Sequence, residues 1–429
     1  MVKIQVEPVR GMRDYIPPES EELAWICEEF RRTARGFGYR EVRTPTIERF
    51  ELFALKSGQE IRESMYVFKD KAGREVALRP EVTPSVVRLY LKELNAWPKP
   101  IKLFYIANVF RYDEPQYGRY REFTQAGVEV LGADGIHYDV ELIALLEEFY
   151  DNIGLKNREY KVNNAAVIRR IATSARLSEE DTERLLHLLD KEMFNEALQI
   201  LESRGAESAA ILLRELMKHR DVSSSSQLLK IINVMPVEVA KELELLARYL
   251  EHLEALGVRY RANLAFARGI AYYTGIIFEV RVPNLAISIA GGGRYDNLTE
   301  VYGGPPLSST GFAIGVERTL LALRGQEEHS VSLPVRLLVL LMVDEPRLYG
   351  ELIKRLRVLR EHGCVTQIEV VTKLGKWMQY ADRLGFDYVV IVGRKEVERG
   401  IVTVRDLKAW RQTEVLLDKL DEVVNCGRS

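Results

Sequence analysis

The chain has 429 residues, too many for one ordinary hydrophobic core, so two or three domains are expected. Its hydrophobic fraction of 47% and charged fraction of 29% are typical of a soluble globular protein. We expect neither a membrane span nor a signal peptide, because no apolar run is long enough and the first residues are mixed in character. The formal net charge of −2 excludes a uniformly basic surface, so any contact with nucleic acid must be local.

Four elements are predicted in the first hundred residues. After Pro17 and Pro18, apolar residues recur at helical spacing, which favours a helix. A proline inside the next segment is tolerated only at a sheet edge or a bulge. The predicted elements are a helix over 19–37, a strand over 42–47 interrupted by Pro45, a hairpin of strands 65–68 and 75–78, and a helix over 84–94.

A charged hairpin follows. Strand-like alternation enters it over 104–110 and leaves it over 123–131, while Pro115 and Gly118 mark the turn. Arginine forks match phosphate oxygens two at a time, so such a hairpin suits a phosphate chain, although a lone hairpin of this kind is more often ordinary surface. Its polar residues are Arg111, Asp113, Glu114, Arg119 and Arg121 at the turn, and Gln125 and Glu129 on the outgoing strand.

The middle of the chain changes composition and then returns to strands. Residues 164–256 are rich in Leu, Ala, Glu and Arg and poor in glycine, which predicts a mostly helical insertion. Strand patterning returns at 276–282 and 286–289, followed by three glycines at 291–293. The polar residues 326–333 predict a linker.

From residue 334 onward, strand and helix patterns alternate. The wholly apolar first strand indicates a small α/β domain with a sheet covered on both faces. This segment holds 17 Lys or Arg and 14 Asp or Glu, an excess of 3 positive charges that suits an RNA-facing module. The predicted elements are strands over 337–342, 366–370, 388–392 and 400–404, a helix over 345–363, a helix ending near 385, and a C-terminal helix.

Cysteine and histidine spacing excludes several classes of site. Cys27, Cys364 and Cys426 form no Cys-x-x-Cys pair and no cluster with histidine, so a structural zinc site is not expected. A reducing cytoplasm is the location that fits best. The six histidines show no metal or triad spacing, and no serine lies in a nucleophile elbow, so covalent hydrolysis is not supported.

Four further motifs contain arginines, tyrosines or glycines that could serve a ligand. Each alone is also common structure: a glycine-containing strand before a helix, tyrosines packed with satisfied hydroxyls, or, at Thr83, a helix cap. None has the spacing of a P-loop or of a dinucleotide-binding turn. The motifs are LRPEVTPSVVR (78–88), ARGIAYYTGIIFEV (267–280), AGGGRYD (290–296) and GFAIGVER (311–318).

Together and in this order, the motifs resemble those of the histidyl-tRNA synthetases, a class II synthetase family. The resemblance covers nearly the whole chain and is least distinctive in the helical insertion. RGMRDYIPPE (10–19) resembles the N-terminal signature of the family, the Pro45 segment motif 1, the charged hairpin motif 2, and GFAIGVER motif 3. ARGIAYYTG and AGGGRYD resemble two signatures of the histidine enzymes, and the C-terminal segment resembles an anticodon-binding domain.

The resemblance implies a fold and a domain order. The fold class is α/β of the α+β type: a class II catalytic domain on an antiparallel sheet, with a helical insertion and then a small α/β anticodon-binding domain. The implied divisions are 1–163 and 257–325 for the catalytic domain, 164–256 for the insertion, 326–333 for the linker and 334–429 for the anticodon-binding domain.

It also implies an ATP-dependent ligase. The carboxylate of histidine would attack the α-phosphate of ATP and release pyrophosphate, and the 3′ end of the tRNA would then accept histidine. The implied cofactors are ATP and magnesium (Mg2+). The implied partners are histidine, tRNA(His) and a second copy of the chain in a homodimer, with no membrane partner, no metal site of the protein's own, and a cytoplasmic location.

Roles follow for the residues that match the family's motifs. Arg111 and Arg268 would act in catalysis at the α-phosphate. Gln116, in the hairpin turn, is a candidate contact for the acceptor end of the tRNA. ATP would be bound by Arg111, Arg119, Phe123 and Arg318. Histidine would be bound by Glu81, Thr83, Arg111, Gln125, Glu129, Arg268, Tyr272 and Tyr273, with Glu129 and Tyr273 at the imidazole nitrogens.

One position departs from the pattern: Ala271 stands where the family commonly has an aspartate near Arg268.

Three alternatives to the ligase are less consistent with the sequence. A histidine-binding regulatory paralogue is disfavoured, because such chains typically lack the anticodon-binding domain and the ATP-binding arginines. A synthetase for another amino acid is disfavoured by Glu129 and by residues 268–273. A stand-alone RNA-binding module is disfavoured by the near-neutral charge.

Overall fold

A sheet of eight strands organises the first of two compact units, 1–331 and 332–429, in this computed structural model. The structure describes residues 6–54, 60–268, 272–326 and 333–426. No helix within these ranges is long and apolar enough to cross a membrane. The strands of the first unit are β1 (Arg40–Glu41), β2 (Ile47–Arg49), β3 (Val67–Lys69), β4 (Glu75–Leu78), β5 (Ile101–Phe110), β6 (Glu122–Leu131), β7 (Glu159–Asn164), β8 (Tyr260–Ala262), β9 (Ile276–Val282), β10 (Leu285–Arg294) and β11 (Ser309–Gly315).

The large sheet has the order β1-β5-β6-β11-β10-β9-β7-β8. Its six central strands run antiparallel to their neighbours, while β1 is parallel to β5 and β8 is parallel to β7. A second, antiparallel sheet has the order β2-β4-β3. The α+β architecture expected from the sequence is therefore confirmed.

Helices surround this sheet, and six of them follow one another between residues 165 and 255. The helices of the first unit are α1 (Glu19–Gly36), α2 (Glu51–Ala54), α3 (Glu60–Glu63), α4 (Thr83–Leu89), continued by a π-helical turn (Tyr90–Leu94), α5 (Ile136–Asn152), α6 (Ala165–Ser174), α7 (Glu179–Asp190), α8 (Phe194–Ser203), α9 (Glu207–Lys218), α10 (Ser225–Ile232), α11 (Val237–Ala255), α12 (Leu298–Val301) and α13 (Val316–Arg324).

One face of the large sheet packs against α1 and α5 through aromatic rings. The ring of Phe30 on α1 lies 5.4 Å from that of Phe149 on α5 and 6.2 Å from that of Phe312 on β11. Phe312 is paired with Val128 on β6, so both side chains point to this face. Because side chains alternate along a strand, the neighbouring residues 127, 129, 311 and 313 point to the opposite face. That face carries the candidate site.

The second unit is a five-stranded sheet with the order β13-β12-β14-β15-β16. Its first three strands are parallel, and β15 and β16 are antiparallel additions. A disulfide joins Cys364 to Cys426, a pairing that the sequence did not indicate. The elements are β12 (Arg336–Leu341), α14 (Pro346–Glu361), β13 (Val365–Val370), α15 (Leu374–Arg383), β14 (Tyr388–Val392), α16 (Arg394–Arg399), β15 (Ile401–Asp406), β16 (Arg411–Leu416), a 3-10 turn (Leu417–Lys419) and α17 (Leu420–Val423).

Most predicted elements are confirmed within one to three residues, and two are wrong. The predicted strand over 42–47 does not form, because the chain leaves the large sheet after β1 and enters the small sheet only at β2. Pro45 has no backbone N–H to donate, and its carbonyl instead accepts a hydrogen bond from the Arg79 side chain. The predicted C-terminal helix is reduced to the four residues of α17, preceded by the unpredicted edge strand β16, whose first four residues are polar and exposed. Most of the predicted linker, 327–332, lies outside the described residues.

Candidate active site

Small residues form the floor of the candidate site. Gly291 on β10 is paired with Ala313 on β11, and Ala313 with Gly127 on β6; Gly311 lies two residues from Ala313 on the same face. A Cβ atom added at Gly127 would lie 2.5 Å from the Tyr105 hydroxyl. One added at Gly311 would lie 2.0 Å from Glu129 Oε2, and one added at Gly291 would lie 2.1 Å from Arg268 Nη1. Larger side chains would therefore displace the functional groups that cross this surface. We call these four small residues the pocket floor.

Glu129 is a carboxyl group buried beside the pocket floor, with 1% of its surface exposed. Thr83 Oγ1 donates a hydrogen bond of 2.6 Å to Glu129 Oε1, and the Tyr105 hydroxyl approaches the same oxygen at 3.5 Å. The Tyr295 hydroxyl donates to Glu129 Oε2. Burial raises the pKa of Glu129 to about 8 despite these hydrogen bonds, because the carboxylate form is desolvated. The helix-cap interpretation of Thr83 is wrong: α4 has no side-chain cap, and the hydroxyl binds Glu129.

A second carboxyl group, Glu81, lies just before α4. The Tyr272 hydroxyl donates a 2.7 Å hydrogen bond to Glu81 Oε2. The rings of Tyr272 and Tyr273 are 5.2 Å apart. Burial raises the pKa of Glu81, and the Tyr272 hydrogen bond and the charge of Arg111 act in the opposite direction. The tyrosines of the 267–280 motif therefore belong to the site and not to packing alone.

Gln125 provides a buried acceptor beside the pocket floor. It lies two residues before Gly127 on the same face of β6, and 9% of its surface is exposed. Its Oε1 atom is buried and accepts no hydrogen bond from any residue that the structure describes. Buried polar atoms without a partner are rare in native proteins and call for an explanation. A ligand that donates a hydrogen bond at this position would supply one.

Three arginine side chains converge on the site and are held mainly by backbone carbonyls. Arg111 Nε donates to the carbonyl of Pro80 at 3.0 Å, and its guanidinium lies 5.4 Å from the centre of the Phe123 ring. Arg318, in the first turn of α13, donates to the Gly118 carbonyl at 2.9 Å. Arg268 Nη1 donates to the Phe278 carbonyl at 3.3 Å. Carbonyls orient these cations without neutralising their charge.

The arginines repel one another. Burial, followed by the charges of Arg111, Arg119 and Arg268, lowers the pKa of Arg318 to about 10. We call these four residues the arginine cluster. Like charges held together at a partly buried site favour an anionic ligand, because binding it relieves the repulsion.

The turn of the charged hairpin is accessible. The backbones of Gln116 and Arg119 form two hydrogen bonds, and both side chains are exposed. Gly11 of the N-terminal motif accepts a hydrogen bond of 2.8 Å from the backbone of Arg121. A Cβ atom at Gly11 would lie 2.7 Å from the Arg121 side chain, so a glycine permits this contact. The N-terminal motif therefore supports the turn.

The structure brings together Glu81, Thr83, Glu129 and Tyr272 by direct contact, and links Arg111 with Phe123. Ala271 lies outside the described residues.

Three residues of the site were not predicted from the sequence. Tyr105 and Tyr295 bind Glu129, and Glu279 contacts Arg268. Tyr295 lies in the AGGGRYD motif, which was a usable signal, but its partner is 166 residues away. For Tyr105 and Glu279, only the strand register reveals the contacts.

The arrangement separates two chemical environments. Glu81, Gln125 and Glu129 present acceptors for the N–H groups of a ligand, whereas the arginine cluster favours phosphate or carboxylate groups. Within the described ranges, no three His, Cys, Asp or Glu side chains are grouped so that they could hold a metal ion. The site can therefore bind a small amine next to a polyanion.

Comparisons of sequence with known families agree with this chemistry. Residues 11–319 match the family described as histidyl-tRNA synthetase, and residues 338–426 match the family described as anticodon binding domain. A histidine–tRNA ligase of Sulfolobus acidocaldarius is 42% identical over 423 residues, which cover 98% of this chain and 98% of that protein. The likeness thus extends over both units.

Solved structures share the fold. The histidyl-tRNA synthetase from Nostoc sp. PCC 7120 has a TM-score of 0.81 and 24% identity, and covers 98% of this chain and 99% of its own. The apo histidyl-tRNA synthetase of S. aureus has a TM-score of 0.69 and 27% identity, with the same coverage of 98% and 99%. Both are similar to this chain along nearly its full length.

Proposed function

The chain belongs to the histidyl-tRNA synthetase family, and from this premise we propose how its residues bind and activate histidine. It is a histidine–tRNA ligase, an ATP-dependent enzyme of two steps. In the first step a carboxylate oxygen of histidine bonds to the α-phosphorus of ATP, and the bond to the β-phosphate breaks to release pyrophosphate. In the second step a ribose hydroxyl at the tRNA 3′ end bonds to the carbonyl carbon, and AMP leaves.

The α-ammonium group of histidine would bind among Glu81, Gln125 and Thr83. The support is the unsatisfied Gln125 Oε1 atom together with the carboxyl group of Glu81. An ammonium group has three donors and no acceptor, so it matches this set of oxygens. Tyr272 would hold Glu81 in place through its 2.7 Å hydrogen bond.

The imidazole would lie between Glu129 and Tyr273. Neutral imidazole has one donor and one acceptor, and a carboxylate with a tyrosine hydroxyl complements both. Thr83 and Tyr295 would orient the carboxylate, because each donates to one of its oxygens. An apolar amino acid would offer no hydrogen bond to Glu129 or to Tyr273, and sites built on such polar pairs reject apolar analogues by about 10⁴-fold.

The three arginine side chains held by backbone carbonyls, Arg111, Arg268 and Arg318, are the observation that carries the ATP proposal. Arg111 and Arg268 would contact the α-phosphate and the histidine carboxylate, where negative charge develops in the first step. Arg119 would contact the outer phosphates. Arg318 and Phe123 would enclose the adenine between a guanidinium group and an aromatic ring. In phosphoryl transfer, positioning and charge stabilisation supply most of the catalysis.

Synthetases of this kind use a divalent metal together with ATP. Mg2+ usually keeps several waters and binds through substrate phosphates plus one or two carboxylates, so a group of three protein ligands is not required. We propose that Mg2+ enters with the phosphates of ATP. When bound, it would offset phosphate charge beside the arginine cluster.

The remaining partners are also proposals. Gln116 would contact the acceptor end of tRNA(His), because its side chain is exposed at the hairpin turn. A homodimer would form near motif 1, where Ile47 on β2 and Phe68 on β3 are exposed apolar residues of one small sheet, 49% and 44% exposed. The tRNA substrate favours a cytoplasmic location. The helices between 165 and 255 would act as an insertion within the catalytic domain, which divides as 1–163 and 257–325, with a linker over 326–333 and the anticodon-binding domain over 334–429.

Histidine-dependent exchange of pyrophosphate into ATP tests the proposal. With a panel of the twenty amino acids, we expect histidine alone to support exchange above background. Arg268→Ala should lower the rate by about a hundredfold or more and change the KM for ATP little, because its contact strengthens in the transition state. A near-normal rate in that variant would exclude the proposed role of Arg268.

A further inference from the structure

Glu279 is a buried carboxylate that the mechanism above does not use. It lies in the middle of β9, paired across the sheet with Lys161 on β7 and with Gly291 on β10, and 7% of its surface is exposed. Its oxygens contact three cations. Arg281 Nε is 2.7 Å from Oε1, Arg268 Nη1 is 3.7 Å from Oε2, and Lys161 Nζ is 3.9 Å from Oε1.

These cations differ in their exposure to solvent. The Arg281 side chain is 49% exposed, whereas those of Arg268 and Lys161 are 19% and 14% exposed. Lys161 also has other partners: Glu192 at 3.3 Å and the ring of Phe266 at 4.5 Å. Arg268 has no comparable alternative, because Glu279 carries the one carboxylate within 4.0 Å of its guanidinium among the described residues.

The guanidinium of Arg268 is confined as well as paired. It occupies the space that the missing side chain of Gly291 leaves, and Gly291 is the cross-strand partner of Glu279. Nη1 is held by the Phe278 carbonyl and faces Glu279, while Nε is buried and donates to no residue within the described ranges. The sheet thus fixes the Nη1 side of the guanidinium group, and Nε makes no hydrogen bond within the described residues.

Electrostatics explains why such an anchor is needed. Arg268 lies near enough to Arg318 for their like charges to repel each other when no anion is bound. A flexible arginine under this repulsion would leave the pocket floor for solvent. A fixed carboxylate in the sheet, 3.7 Å from Arg268 Nη1, opposes that movement.

We propose that Glu279 is the positioning residue for Arg268: with Gly291, it holds the guanidinium on the pocket floor so that the other side of the fork meets the α-phosphate. Glu279 itself does not touch substrate. The inference rests on the proposed role of Arg268 in histidine activation, and the experiment separates the two.

The experiment measures histidine-dependent pyrophosphate exchange in the full-length Glu279→Gln, Glu279→Asp, Arg268→Ala and Glu279→Gln/Arg268→Ala proteins. Glu279→Gln removes the charge at constant shape, so kcat should fall about thirtyfold while the KM values for ATP and histidine stay within about threefold. Glu279→Asp keeps the charge and should lose less activity than Glu279→Gln. Arg281→Ala is the matched control, because it removes the exposed cation that contacts the same carboxylate. Its kcat should stay within about twofold of the wild-type value.

The double variant is the decisive readout. If Glu279 acts only through Arg268, adding Glu279→Gln to Arg268→Ala should cost no further activity. Any of three results would overturn the inference. The activity losses of the two single variants could multiply in the double variant, or Glu279→Gln and Glu279→Asp could lose equal activity. Glu279→Gln could also have normal activity while Arg268→Ala is impaired. Normal activity of Arg268→Ala would instead overturn the proposed function of that arginine. Thermal melting of each variant identifies unfolding, and should Glu279→Gln not fold, the Asp variant alone and combined with Arg268→Ala completes the same cycle.

Discussion

The pocket floor and strand β12 of the second unit both lie inside a sheet, yet they bury opposite kinds of side chain. From Leu337 to Leu341, β12 is apolar and at most 1% exposed. On β6 and β11, glycines and an alanine alternate with buried polar groups such as Gln125 and Glu129. Among the described residues, Thr403 is the one buried polar side chain of the second unit, whereas many polar side chains are buried in the first unit.

The difference shows where each region obtains its stability. Burial of aliphatic side chains stabilises β12 directly, and the Cys364–Cys426 disulfide adds a covalent link in the same unit. The pocket floor instead keeps a desolvated carboxyl group and a repelling arginine cluster, both of which destabilise the ligand-free protein. Substitutions in the two regions should therefore separate activity from stability.

The largest effect is expected in the arginine cluster. Arg318→Ala should lower kcat/KM for ATP in the exchange reaction about a thousandfold, roughly 4 kcal/mol, because a partly buried cation proposed to contact the nucleotide is lost. Its removal also relieves repulsion, so stability should be unchanged or higher. Arg324→Ala on the same helix, where the side chain pairs with Glu19 and Glu22, is the control and should stay within about threefold. Equal losses in both variants would argue against a nucleotide role for Arg318.

The second effect concerns packing in the other unit. Leu340 is fully buried on β12, so Leu340→Ala should lower the free energy of unfolding of the second unit by about 3 kcal/mol. Hydrogen exchange of β12 and β14 amides measures this change. Histidine-dependent pyrophosphate exchange should remain within about twofold, since no residue of the proposed site lies in this unit. A loss of exchange activity comparable to that of Arg318→Ala would abolish the distinction between the regions.

A smaller effect is expected where the pocket floor limits side-chain size. A Cβ atom at Gly311 would lie 2.0 Å from Glu129 Oε2, so Gly311→Ala must displace that carboxyl group. We expect the KM for histidine to rise about thirtyfold, roughly 2 kcal/mol, with a smaller change in the KM for ATP. Gly36→Ala near the end of α1, where no atom lies within 4 Å of the added Cβ, is the control. Equal rises in both KM values would show a general distortion instead.

The sequence predicted most of the elements and supplied candidate site residues, because motifs preserve local order. The charged hairpin gave β5 and β6, and the matches to family motifs gave Glu81, Glu129 and Arg268 as candidates. The C-terminal strands were predicted from apolar runs, whereas β16 was missed because its first four residues are polar and exposed at a sheet edge.

What the sequence could not provide was the pairing between distant strands. Glu279 meets Arg268 only because β9 lies between β7 and β10, and Tyr105 reaches Glu129 only through the register of β5 on β6. The contact of Tyr295 with Glu129 spans 166 residues. Such contacts depend on register, which a single sequence leaves unspecified.

The most direct test of the account is Glu129→Gln, measured for stability and activity together. The pKa of Glu129 is near 8 in the folded protein and lower when unfolded, so between these values the folded state retains a proton that the unfolded state releases. Wild-type stability should therefore decline as pH rises toward 8, and the variant should escape that decline. At pH 8 we expect Glu129→Gln to be more stable than the wild type by at least about 1.4 kcal/mol, the free energy that corresponds to one pKa unit. Near pH 4.5 the two proteins should be equally stable. Hydrogen exchange of β6 amides measures the stability at both pH values. The histidine-dependent pyrophosphate exchange of Glu129→Gln should fall about a hundredfold. A variant that loses activity but is no more stable at pH 8 than the wild type would contradict the account.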